Sequence, residues 1–290
     1  MTLKNKVTGL GSPELLEEIT RILYREKIFI GGEEKVNIDF DIKKHLNEEM
    51  KKHYDKLIFR LDRIIQHAAN QKIKILLDAE QSTRQLGIHF ISLQLIRKFN
   101  TAEPVIYNTY QCYMKETQSI LFNHLHTAQL NRFFLGVKIV RGAYVDHENE
   151  MARSLNTSSP IFGNKKLTDD SYNTSLVRCF DSVQRGSAGV VVATHNEESV
   201  QIAVNKMKEV NLKNDFPFVH FGTLLGMCDH IAYGLSAHGY QCFKLLPYGK
   251  IDIVFPYLFR RLQENSSVLS GTQRERDLML REIKRRENSK

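Results

Sequence analysis

Two rhythms of apolar residues alternate along this chain. Short β-rich runs are followed by longer stretches with apolar positions at helical spacing, the pattern of βα units around a parallel sheet. Strands are predicted at about 3–8, 73–78, 104–109, 135–141, 188–194, 216–221 and 241–246. Helices are predicted over 13–27, opened by Ser12 as an N-cap, and over 86–99, 117–130, 172–183, 197–210, 224–236 and 251–265. Seven such units predict an α/β fold, a TIM-like (βα)8 barrel. A closed barrel needs eight strands, because a gap leaves two unpaired edges beside an apolar interior. The expectation is therefore a barrel lacking its first βα unit, unless a strand lies in the polar insert 31–47. Residues 1–265 are expected to form one domain, and 266–290 a charged helical tail.

Composition changes this picture little. With 290 residues, 42% of them hydrophobic, the chain can bury a large core. The formal charge is +8 and the pI about 9.2. The basic residues are dispersed, much of the excess lies in 274–290, and no helix-turn-helix or aromatic-plus-basic strand accompanies them, so nucleic acid is not the expected partner. A basic balance also fits an anionic substrate or a mitochondrial matrix protein. Cys112, Cys179, Cys228 and Cys242 include no CxxC pair, and none of the 11 histidines makes an HExxH pattern, so neither a disulfide framework nor a metal site is expected. No N-terminal address and no run of 18 apolar residues is visible.

Reacting groups of a βα barrel sit at the carboxyl ends of its strands, so polar residues that close apolar runs carry the chemistry. Here Leu77 is followed by Asp78-Ala-Glu80, Tyr107 by Asn108, Val140 by Arg141-Gly142-Ala143-Tyr144, and Val192 by Ala193-Thr194-His195-Asn196. Each could instead be a helix N-cap or a turn residue. Lys138, inside an apolar run, either points into a polar cavity or snorkels past the rim. In the final predicted helix Tyr257, Arg260, Arg261 and Glu264 fall at i, i+3, i+4 and i+7, so they share one face. Paired guanidinium groups suit bidentate recognition of a carboxylate, and an exposed salt-bridged helix is the plainer alternative. The strand end Lys244-Leu245-Leu246-Pro247-Tyr248-Gly249 would deliver this helix over the barrel mouth.

At these residues the sequence resembles the proline dehydrogenase family, including its hydroxyproline dehydrogenase branch, across nearly its whole length. The segments that carry the resemblance occur in order: Lys6-Val-Thr-Gly-Leu-Gly11, Leu77-Asp-Ala-Glu-Gln81, Tyr107-Asn-Thr-Tyr-Gln-Cys-Tyr113, Val140-Arg-Gly-Ala-Tyr144, Ala193-Thr-His-Asn-Glu-Glu-Ser199, Phe221-Gly-Thr-Leu-Leu-Gly-Met-Cys-Asp229, Pro247-Tyr-Gly249 and Tyr257-Leu-Phe-Arg-Arg-Leu-Gln-Glu-Asn265. The resemblance implies a distorted barrel with FAD over the carboxyl ends of the strands. It implies Arg260 and Arg261 on the substrate carboxylate, Tyr257, Leu224 and Leu245 beside the substrate, and Lys6, Asp78 and Tyr144 lining the substrate side of the flavin. Glu264 would hold an arginine in place at the cofactor, while Asn108, Lys138, Arg141, Gly142, Ala143, Thr194, His195 and Asn196 would contact FAD. A mitochondrial location, a quinone-type acceptor and peripheral membrane association are implied in the same way.

Three departures qualify the resemblance. Leu245 stands where proline-specific members carry a tyrosine over the far edge of the ring, which points toward trans-4-hydroxyproline over proline as substrate. Thr223 replaces the usual Gln, and the segment corresponding to a first βα unit is not seen. Rival readings are a proline-specific dehydrogenase, a non-catalytic barrel fragment, and a lyase using Lys138 as a Schiff base.

Overall fold

The computed structural model describes residues 2–28, 37–264 and 272–288. In chain order the elements are β1 (Thr2–Asn5), α1 (Pro13–Arg25), α2 (Glu48–Asn70), β2 (Lys74–Leu77), α3 (Ser82–Phe99), β3 (Ile106–Gln111), α4 (Thr117–Leu130), β4 (Leu135–Val140), α5 (Val145–Ser154), α6 (Lys165–Gln184), β5 (Ala188–Ala193), α7 (Glu197–Glu209), β6 (Val219–Leu224), α8 (Asp229–Ala237), β7 (Cys242–Leu245), α9 (Ile251–Glu264) and α10 (Thr272–Glu287). All seven strands pair in parallel with their sequence neighbours, in the order β1 to β7. The fold is a distorted βα barrel in which the described strands curl without closing into a ring.

The period of two along each strand sorts residues onto two faces. Outward-facing Ile75, Leu77, Val137, Ile139, Val190, Val192 and Phe221 join the main core with the helices, where Tyr172, Leu176 and Phe180 of α6 are fully buried. Each such side chain contributes roughly 1.5–3 kcal/mol when removed from water. The inward face carries a much smaller apolar cluster, Leu76, Tyr107 and Val191 with Phe243 packed against it. Beyond this floor, toward the carboxyl ends, the inward face turns polar.

Local chemistry explains most boundaries. Ser12 accepts a hydrogen bond from the Leu15 N–H and Pro13 occupies the first turn of α1, as expected for a capped helix start. Asn164 caps α6, which therefore begins at Lys165 rather than 172. The strand expected over 216–221 lies at Val219–Leu224, after Pro217, which has no N–H for the ladder. Leu224 accordingly ends a strand, and the helix expected from 224 starts at Asp229. Helices α2 and α5 were not expected at all. In α2 the buried positions Tyr54, Leu57, Leu61, Ile65 and Ala68 follow helical spacing, capped by Asn47 on the Met50 N–H. Of the insert 31–47, residues 31–36 lie outside the described residues, and 37–47 form turns with a 3-10 turn at Ile42–His45, with no strand among them.

Candidate functional site at the carboxyl ends of the strands

The carboxyl ends of the strands are organised by two cations. Lys138 sits level with Thr109 on β3 and Val191 on β5, so its side chain rises on the concave side. Its Nζ lies 2.9 Å from Asp78 Oδ1, just past the end of β2, with side chains 12% and 10% exposed. The lysine reaches into a polar mouth rather than snorkelling past the rim. A pair this far from solvent is strongly disrupted if one member is removed, because the other is left uncompensated.

Arg141 is the second cation. Its Nε donates to Asp169 Oδ1 at 2.6 Å, Nη1 to Thr194 Oγ1 at 2.8 Å and Nη2 to Ser199 Oγ at 2.9 Å, while the guanidinium lies 4.4 Å over the Tyr172 ring. Burial alone would raise the Asp169 carboxyl, but hydrogen bonds and charge from Lys165 and Arg141 hold it below its ordinary value. This fixed fork ties β4, α6, β5 and α7 together.

At the end of β5 the residues divide their roles. Thr194 Oγ1 accepts from both Arg141 and the Asn196 N–H. Asn196 Oδ1 caps α7 through the Ser199 N–H at 2.9 Å, which is the plain N-cap reading of a strand-end polar residue. His195 Nε2 accepts the Leu224 N–H at 3.0 Å, tying the ends of β5 and β6 and bringing Leu224 to the mouth. Gly142 has φ +146°, and a Cβ there would meet the Tyr113 ring at 2.2 Å, so the turn after β4 needs glycine. Ala143 follows, and the Tyr144 hydroxyl reaches back to the Ala79 carbonyl at 3.4 Å.

Other expected site residues lie elsewhere. Asn108 faces outward: it is buried against α3 with Nδ2 2.7 Å from His89 Nδ1, on the opposite side of β3 from Tyr107. Lys6 is exposed before the 3-10 turn Val7–Gly9. Leu245 ends β7, partly buried, and Leu246 and Tyr248 beyond it are exposed. Tyr257, Arg260, Arg261 and Glu264 belong to α9 by backbone, and their side chains lie outside the described residues.

A set of residues given no individual role from the sequence supports the mouth. Glu80 is 3% exposed and accepts from the Thr8 hydroxyl at 2.8 Å, while its N–H donates to Gln85 Oε1 at 2.7 Å and its carbonyl accepts from Gln111 Nε2 at 2.8 Å. Glu148 of α5 is 1% exposed and accepts from Ser82. Glu80 and Gln111 fall within motifs already recognisable as segments, but nothing local in the sequence marks Glu148.

Comparison with known proteins places this geometry. The proline dehydrogenase family pattern matches residues 14–274. Hydroxyproline dehydrogenase of Xenopus laevis is 42% identical over 243 residues, covering 83% of this chain and 52% of that protein. The mitochondrial proline dehydrogenase 1 of Drosophila melanogaster is 38% identical over 247 residues, 82% of this chain and 36% of that one, and the human protein of that name is 37% identical over 244 residues, 82% and 40%. The chain spans about half the length, or less, of these curated relatives. Among solved structures, proline utilization A (PutA) from Bdellovibrio bacteriovorus, inactivated by N-propargylglycine, superposes with a TM-score of 0.72 at 20% identity, covering 90% of this chain and 24% of that one.

Proposed function

The chain belongs to the proline dehydrogenase family, and from that premise we propose that it is an FAD-dependent oxidoreductase acting on trans-4-hydroxy-L-proline, with L-proline as second substrate, to give the corresponding pyrroline-5-carboxylate. The observation that carries this reading is the Lys138–Asp78 pair at the polar mouth, flanked by the Arg141 fork. The donor set fits a flavin: two cations and the Thr194, His195 and Asn196 segment stand at adjoining strand ends.

Bound FAD supplies a hydride acceptor at N5 for hydrogen leaving ring C5. This chain's residues supply placement and charge. Lys138 and Arg141 put positive charge where an electron-rich ring and a pyrophosphate need it, in a site partly shielded from water. Asp78 keeps Lys138 in one orientation. Tyr144 and Lys6 line the substrate side, Leu224 packs against the substrate ring, and Arg260 and Arg261 of α9, with Tyr257 beside them, clamp the carboxylate, which aligns the reacting carbon. Arg141, Gly142, Ala143, Thr194, His195 and Asn196 serve the cofactor, with Glu264 steadying the clamp and Asn108 acting from behind β3. Leu245 leaves room at ring C4 for a hydroxyl, which supports hydroxyproline over proline. Lys138 is engaged by Asp78 rather than standing in an apolar pocket, as a Schiff-base lysine would.

By the same reading the protein works in mitochondria, on the matrix side of the inner membrane, and passes electrons to a quinone-type acceptor by peripheral association. The names of its mitochondrial relatives support the location, and no described helix is long and apolar enough to cross a membrane. The test is to purify the protein, record flavin absorbance and add each imino acid without oxygen. Bleaching by trans-4-hydroxyproline, faster than by proline, is the expected result. A folded protein that carries no flavin, or whose flavin neither compound bleaches, overturns the proposal.

A further inference from the structure

Helix α3 is capped from a distant part of the chain. Gln81 precedes it in extended conformation, φ −65° and ψ 155°, and gives no side-chain hydrogen bond, and no acidic residue lies in the first turn. The exposed donors of such a helix start need an acceptor. Glu148, 66 positions away on the first turn of α5, provides it: Oε1 accepts from the Ser82 N–H at 2.8 Å and Oε2 from Ser82 Oγ at 2.5 Å. At 1% exposure this carboxylate has left water, which is tolerated where hydrogen bonds and the positive end of a helix dipole compensate.

The cap has a geometric consequence. Helix α5 starts directly after Tyr144, whose hydroxyl reaches the Ala79 carbonyl at 3.4 Å. Tyr144 and Glu148 are one helical turn apart and hold segment 78–82 near its two ends. Between them Glu80 is secured by Gln85 on its N–H, Gln111 on its carbonyl and Thr8 on its carboxylate. Asp78, which faces Lys138, heads this braced segment.

We propose that Glu148 is a positioning residue: by capping α3 across the mouth it sets the register of α5 on segment 78–82 and so fixes the Tyr144 hydroxyl relative to the Asp78 carboxylate. The role rests on the proposed imino-acid oxidation, in which both groups line the substrate side. Glu148 touches neither substrate nor cofactor.

The flavin-loaded protein tests this with Glu148→Ala, Glu148→Gln, Tyr144→Phe and the double variant Glu148→Ala/Tyr144→Phe. Glu148→Ala is expected to lower kcat/KM at least about tenfold with flavin retained, because a small misplacement near reacting atoms is costly. Glu148→Gln still accepts from the Ser82 N–H and is expected to recover most of that loss. If Glu148 acts through Tyr144, the double variant loses no more than the worse single one, whereas multiplied losses show independent effects and overturn the proposal. Hydrogen exchange gives a readout free of activity: amides of 78–82 are expected to exchange at least about tenfold faster in Glu148→Ala. Unchanged exchange there overturns the positioning role. A wild-type flavin unbleached by either imino acid overturns the functional reading instead, and exchange then still decides whether the cap holds the segment.

Discussion

Polar side chains are buried on both sides of the sheet, and the two groups are built to opposite rules. At the carboxyl ends of the strands Lys138 with Asp78, and Arg141 with Asp169, are partly shielded and paired across different elements. Behind β3, His89, Tyr110 and His124 are fully enclosed: the His89 and Tyr110 rings stack at 5.0 Å and the Tyr110 hydroxyl lies 2.7 Å from His124 Nδ1. Burial pushes His89 down to about 3 and His124 well below its usual value, so both imidazoles are neutral. An ion pair at the strand ends is kept with some solvent, whereas a group that only fills a core surrenders its charge.

Removing a mouth cation is the largest break in this contrast. Lys138→Met should take the positive charge from beside Asp78 and lower kcat/KM by about a hundredfold or more, roughly 2.7 kcal/mol of transition-state stabilisation. Anaerobic flavin bleaching measures it, and an unimpaired variant would remove Lys138 from the site.

Acid should find the rear group next. Below pH 6.5 the unfolded chain takes up protons that the folded His89 refuses until about pH 3, so folding stability falls as pH falls through that window. His220, lowered to about 4 chiefly by burial and by the nearby Lys74 charge, acts in the same sense. From pH 6.5 to 5 each such histidine should cost roughly 1.5 kcal/mol, read from urea unfolding midpoints. Equal stability at the two pH values would contradict the neutral cluster.

Tyr110→Phe separates the regions more gently. It strips His124 of its hydroxyl partner and should lower stability by roughly 1–2 kcal/mol with kcat/KM unchanged, since the ring faces away from the mouth. A fall in activity without loss of stability would instead couple the rear of β3 to the chemistry. Smallest is Leu245→Tyr, expected to shift the ratio of hydroxyproline to proline kcat/KM toward proline by about fivefold, near 1 kcal/mol. A shift the other way would take Leu245 out of substrate selection.

Asn108 shows where sequence stops being legible. It closes an apolar run as Asp78 does, yet the period of two puts Tyr107 inside and Asn108 outside, and a one-residue difference in strand register decides which side of the sheet a polar group serves. Strand existence was readable throughout because β-branched runs alternate with helical spacing, but bounds moved: the 216–221 strand lies later, after Pro217, the 104–109 strand at Ile106–Gln111, and the 3–8 strand stops at Asn5, where Val7–Gly9 turns into a 3-10 helix. Helix α2 escaped notice because its charged residues mask a narrow apolar stripe, although Leu57, Leu61 and Ile65 mark it. Lys138 and Asp78 were each legible as candidates and their pairing was not, because it joins residues 60 positions apart. Glu148 was invisible for the same reason: its importance comes wholly from what α5 lies against.

Gly87 carries a consequence of another kind. Its N–H donates to Thr20 Oγ1 at 2.9 Å, and a Cβ there would meet the Leu16 carbonyl oxygen at 2.6 Å, so α1 and α3 cross almost backbone to backbone. Helix α1 follows closely on the turn whose Thr8 grips Glu80. A lineage of this protein could enlarge residue 87 only by re-siting a whole helix, and would carry one wall of the mouth along with it.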